Sequence, residues 1–84
     1  MNNFVELTEF IVKNIVSDPD SVSVKEFESD EDNTILIEVM VSGDDMAKVI
    51  GHSGKIINSI RTIVQAASST SENKLIKINI DSYQ

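Results

Sequence analysis

The chain has 84 residues, 40% hydrophobic and 25% charged, which is room for one small core and the composition of an ordinary folded domain rather than a disordered one. It contains no cysteine, which excludes a disulfide scaffold and a thiolate metal site and fits a reducing cytoplasm. No stretch approaches the roughly 20 apolar residues that span a bilayer, and the N-terminus, lacking a basic segment followed by an apolar run, does not read as a signal peptide.

The net charge of −7 argues at first against nucleic acid, since phosphate contacts supply most non-specific affinity. Its distribution is uneven. Residues 1–42 carry 2 Lys against 10 Asp or Glu (−8), and residues 43–84 carry 5 Lys or Arg against 4 acids (+1). Between Asp45 and Glu72 there is no acid, while Lys48, Lys55 and Arg61 all fall there, so a local electropositive strip is compatible with an acidic protein.

The first predicted element is a helix over residues 4–16, where Phe4, Leu7, Ile11 and Ile15 form one stripe that Val5, Val12 and Val16 widen. Pro19 ends it, because proline cannot continue a helix and disfavours helical geometry at Asp18. Residues 21–28 alternate through Val22 and Val24 and slip phase at Phe27, predicting a strand with a bulge or frayed end. After a polar, acidic turn at Glu28–Asn33, residues 34–41 are nearly all apolar and predict a central strand covered on most of both sides. The short turn makes an antiparallel hairpin the natural pairing.

Ser42–Asp45 reads as a turn with Asp44 as N-cap of a helix of about two turns near 45–50, which Gly51 ends as a positive-φ residue. A longer helix over about 55–68 places Ile56, Ile57, Ile60, Ile63, Val64 and Ala67 on one face, and a last strand over about 75–80 alternates Ile76, Ile78 and Ile80 against Lys77 and Asn79. The phenylalanines Phe4, Phe10 and Phe27 are expected in the core. The order α-β-β-α-α-β predicts an α+β fold in which a three-stranded sheet carries three helices on one face, as a single domain spanning residues 1–84.

Between the last two helices lies Gly51-His52-Ser53-Gly54. Gly51 admits positive φ and close approach, and Gly54 opens a helix whose first N–H groups favour an anion. Lys55, Asn58 and Arg61 recur on the polar side of that helix, opposite Ile56, Ile60, Ile63 and Val64, and line one side of a cleft whose mouth is the glycine loop. Ser53 is expected to serve mainly as helix N-cap. His52, the only histidine, has no partners at metal-ligand spacing but is placed to meet a phosphate or base. The spacing is not that of a nucleotide-binding P-loop, since the four-residue gap between glycines is absent and Ile56 stands where that motif has Ser or Thr. A serine nucleophile would need a positioned base, which the sequence does not supply beyond the adjacent His52, so neither enzyme activity nor a metal or cofactor is expected.

The run Lys48-Val49-Ile50-Gly51-His52-Ser53-Gly54-Lys55-Ile56-Ile57 resembles the VIGxxGxxI signature of KH domains, and the element order is similar to their type II arrangement. Over its whole length the chain looks like the small bacterial single-KH-domain RNA-binding proteins of the KhpA (YlqC) family, whose IRTVVKAA-type helix is matched by Ile60-Arg61-Thr62-Ile63-Val64-Gln65-Ala66-Ala67. The resemblance implies a cleft for about four nucleotides of single-stranded RNA. In it Ile50 is the apolar position before the loop, Gly51 and Gly54 grip the backbone, Lys55 is the basic residue that follows, and Arg61 is the arginine of the next helix.

With Lys48, His52, Ser53 and Asn58 these make up the candidate RNA-binding set. The neutral loop interior, where the family often has a base, implies weak, salt-sensitive binding. The family also implies pairing, either as a homodimer or with a larger KH-containing partner of the KhpB or Jag type, and work in RNA regulation or cell-wall elongation. The competing reading is a protein-interaction subunit that keeps the KH fold and binds little RNA itself.

Overall fold

The computed structural model describes residues 3–83. Helix α1 spans Phe4–Lys13, opened by Asn3, whose Oδ1 accepts from the Glu6 N–H at 3.0 Å. Strands β1 (Ser23–Glu28) and β2 (Thr34–Val41) form an antiparallel hairpin. Helices α2 (Met46–Ile50) and α3 (Lys55–Ser69) follow, and β3 (Leu75–Ser82) returns parallel to β2, giving the sheet order β1-β2-β3. The predicted α-β-β-α-α-β order and three-stranded sheet are both present.

Alternation places Ile35, Ile37, Val39 and Val41 of β2 and Ile76 and Ile78 of β3 on the buried face of the sheet. They meet Phe4 and Val12 of α1, Val49 of α2, and Ile57, Ile60 and Val64 of α3 in one core. The opposite face carries no helix among the described residues. There Glu38 is exposed and Leu36 and Met40 are only half-buried, so β2 is central in order but covered on one side alone. Its nearly all-apolar run, broken by Glu38, suggested two-sided cover because a half-exposed Leu or Met cannot be told from a buried one by sequence.

Several expectations need correction. Pairing runs one-for-one from Ser23↔Met40 to Glu28↔Ile35, so β1 has no bulge; Phe27 simply shares the open face with Ser23 and Lys25. Phe27 is 47% and Phe10 67% exposed, leaving only Phe4 in the core. Ile56 and Ile63, at 38% and 49%, also lie outside it, on the flank of α3 that no strand covers. Asp44 does not cap: Ser42 Oγ accepts the Asp44 N–H at 3.3 Å, while the exposed Asp44 side chain takes no part.

Helix α1 stops three residues short of its apolar stripe. The chain tightens there, with Ile15 N–H bonded to Val12 O at 3.0 Å, and delivers the Ser17 and Asp18 N–H groups to the buried Asp45 carboxylate at 3.0 and 3.1 Å. The Ser17 N–H holds that carboxyl below the ordinary aspartate range; burial opposes it, and the Asp18 N–H and Lys48 add to it. A depressed carboxyl contributes stability above its unfolded-state value, ordinarily 3.8, and loses that contribution as pH falls through the folded value. Asp45→Asn would set an amide donor against a backbone N–H donor. The variant should therefore melt well below the parent at pH 7, and the gap should close below about pH 4, as followed by circular dichroism. An unchanged gap at pH 3 would count against this account.

Candidate nucleic-acid interface

The loop between α2 and α3 is set by its backbone. The Gly51 N–H closes α2 on Ala47 O at 2.8 Å, and Gly51 itself has φ 78° and ψ 178°, a region essentially restricted to glycine. A Cβ there would also lie 2.6 Å from the Ile56 side chain. Gly54 has φ 77° and ψ 13°, but the nearest heavy atom to a Cβ is Asn58 Nδ2 at 3.9 Å, so space lies open over it. Gly51 is thus demanded by packing within the protein, whereas Gly54 leaves a bare surface toward solvent. His52 and Ser53 form the exposed tip. Ser53 has φ 57° and makes no cap, and α3 has Gly54 at its N-cap position with no side-chain cap at all. The expected capping role of Ser53 is therefore incorrect, because a left-handed residue two places before Lys55 cannot aim its hydroxyl at that end.

From this loop a wall runs along α3. Asn58 lies beside Gly54, and its Oδ1 accepts from Arg61 Nη1 at 3.0 Å. Arg61 then reaches the outer edge of β3, where Nε and Nη2 both donate to Ile78 O at 3.2 and 3.0 Å. One turn further, Gln65 Oε1 accepts the Ile76 N–H at 2.9 Å, and Gln65 Nε2 donates to Lys74 O at 3.0 Å. Arg61, Thr62, Gln65, Ala66 and Ile76 line an open groove of about 460 Å³ between α3 and this edge. Arg61 lies six residues, about 9 Å, along the helix from Lys55.

The candidate residues separate by what already holds them. Gly51, His52, Ser53, Gly54 and Lys55 cluster at the loop; Lys55 is exposed and has no ion pair among the described residues. Ile50 is half-buried and packs against the core. Asn58 and Arg61 meet as expected. Lys48 instead donates to Ser17 Oγ and lies 3.9 Å from Asp45, tied to the connection between α1 and β1. Gln65 was not singled out from sequence, though its position four residues after Arg61 puts it on the same side of the helix. Ser17 and Asp45 gave no such signal, because their contact joins residues 28 apart.

The family model describing the KH domain of KhpA and KhpB matches residues 5–80. The chain belongs to this KH-domain family. It is 44% identical over 75 residues to the RNA-binding protein KhpA of Clostridium perfringens, covering 89% of this chain and 96% of that one. It is 40% identical, over the same shares of each chain, to the RNA-binding protein KhpA of Clostridium acetobutylicum. The crystal structure of Aquifex aeolicus Era superposes with a TM-score of 0.68 at 17% identity, over 94% of this chain and 29% of Era, a likeness of fold. The α-β-β-α-α-β order is the type II arrangement of the KH domain, and Gly51–Gly54 occupies its loop between helices. No described helix is long and apolar enough to cross a membrane.

Proposed function

We propose that this protein binds single-stranded RNA in the cytoplasm as one KH domain spanning residues 1–84. The Gly51–Gly54 loop holds the sugar-phosphate backbone of about four nucleotides, and bases lie in the groove between α3 and the β3 edge. The observation that carries this reading is the open space over Gly54, beside the exposed Lys55 and next to Asn58, which bonds the Arg61 that lines the groove. It agrees with the clostridial relatives, which are RNA-binding KhpA proteins. No catalytic step is proposed.

Because Lys48 and Arg61 are engaged within the protein, few phosphates are neutralised. Affinity for an unstructured oligoribonucleotide should fall with salt by a log–log slope near −1.4 to −2.1, the value for about two to three phosphates on a single strand. Fluorescence anisotropy across 25–200 mM salt checks this, and a slope several times steeper would contradict the proposed site.

The protein is also proposed to act as a pair, with a second copy or with a larger KH-containing partner of the KhpB or Jag type, in RNA regulation or cell elongation. Exposed Phe10, Ile56 and Ile63 support this part, being large apolar side chains left in large part open to solvent. Ile63→Glu should shift the sedimenting species toward monomer; an unchanged sedimentation profile would place the pairing surface elsewhere. A protein-interaction subunit with little RNA binding draws on the same three residues, and the absence of RNA binding at low salt alongside tight pairing would favour it.

A further inference from the structure

The outer edge of β3 faces the groove, and in an edge strand the outward N–H and C=O groups ordinarily stand unpaired as a template for another molecule. Here α3 supplies partners for them. Gln65 bonds the Ile76 N–H and Lys74 O, Ser68 Oγ donates to Lys74 O at 2.6 Å, and Arg61 sends two donors to Ile78 O. A carbonyl oxygen has two lone pairs, and both on Ile78 are taken by one guanidinium. The Lys74 and Ile78 carbonyls on this edge are therefore already occupied. Beside Ile78 what remains is donor capacity. A guanidinium has five N–H groups; Nε uses one, Nη2 one and Nη1 one, in the bonds to Ile78 O and Asn58 Oδ1, leaving one N–H on each terminal nitrogen.

We infer that Arg61 is a specificity-determining residue that makes this groove select bases with a keto oxygen at the pyrimidine 4 or purine 6 position, uracil and guanine, over the amino-bearing cytosine and adenine. A keto oxygen facing the β3 edge meets the remaining Arg61 N–H groups, and guanine offers O6 and N7 together. An exocyclic amino group in the same place is a donor set against a donor and a saturated carbonyl, and stays unpaired as it leaves water. Ile78 holds the guanidinium from one side and Asn58 from another, so the preference is built in before RNA arrives. This inference rests on the reading of the groove as an RNA site.

The test compares octauridylate with octacytidylate, whose bases differ at the 4-substituent and the protonation of N3 and match in shape and charge. At low salt the parent protein should bind octauridylate about fivefold or more tightly, the equivalent of one hydrogen bond of about 1 kcal/mol. Arg61→Met removes the donors and frees Ile78 O, so the ratio should fall to about one or invert toward octacytidylate. Arg61→Lys keeps the charge but not the fork; the ratio should fall while the salt dependence stays, which separates reading from charge even if the methionine variant folds poorly.

If the parent binds both oligonucleotides equally, or octacytidylate better, the specificity inference is overturned and the RNA site stands. A preference that persists in both variants removes Arg61 from the role. Failure of the parent to bind either one overturns the RNA reading, and this inference with it.

Discussion

Gly51→Ala should destabilise the protein by about 3 kcal/mol or more. Holding a non-glycine residue at φ 78°, ψ 178° costs about 1–3 kcal/mol, and forcing a methyl group to within 2.6 Å of Ile56 adds an overpacking cost of about 1–3 kcal/mol. Against a total stability of about 4–12 kcal/mol for a domain of this length, much of the population would unfold on mild heating. Gly54→Ala should behave differently. Its left-handed φ costs about 1–2 kcal/mol, but no atom lies closer than 3.9 Å to the new Cβ, so the variant folds and any larger loss appears in RNA binding. Urea denaturation of the two variants decides the matter. Equal costs would mean that the two glycines are not divided between packing and ligand access in the way proposed here.

That division was not legible in the sequence, where the two glycines look alike. It depends on where Ile56 points, and Ile56 was read as a core residue because its neighbours Ile57 and Ile60 are. A stripe of isoleucines wider than the strands it faces leaves its flank exposed, and neither periodicity nor composition gives the width of the sheet. The same blindness placed Phe10 and Phe27 inside. Alternation in β1 correctly sets Phe27 opposite Val24, but the side of the sheet that carries no helix is a tertiary fact. The parallel return of β3 was likewise not read from the sequence. By contrast, the element order and the antiparallel hairpin were readable. Each rests on local signals: β-branched runs for β2 and β3, Pro19 after α1, and the glycine loop between two apolar stripes.

Within the site, the loop between the helices was legible from its two glycines, and the meeting of Asn58 with Arg61 from helical spacing. What spacing could not supply was the state of each charge. Lys48 and Arg61 counted equally with Lys55 as bases in an acid-free stretch, yet Lys48 is held by Ser17 and Asp45, and Arg61 by Ile78 O and Asn58. Asp45 stood at the edge of that stretch as one more surface acid. Buried, it joins the end of α1 to the start of α2, directly ahead of the loop, through contacts 27 and 28 residues apart in sequence. The acid-free stretch was thus a real feature whose electropositive content is smaller than its count of bases.

The central claim is that the Gly51–Gly54 loop holds the RNA backbone, and replacing both tip residues by aspartate, His52→Asp with Ser53→Asp, bears on it most directly. Both side chains are exposed and neither packs against the core. Aspartate tolerates the positive φ of Ser53 better than most residues do, so the fold should survive and the melting curve should hardly move. Two negative charges would then stand where phosphates are proposed to lie. At about 4 Å in a watery environment each repulsion costs about 1 kcal/mol, and together they predict a loss of about tenfold or more in affinity for single-stranded RNA at low salt. Fluorescence anisotropy titration of the parent and the double variant measures it. A loss of that size with the melting curve intact is the expected result; unchanged affinity in a folded variant would show that the loop does not hold the backbone.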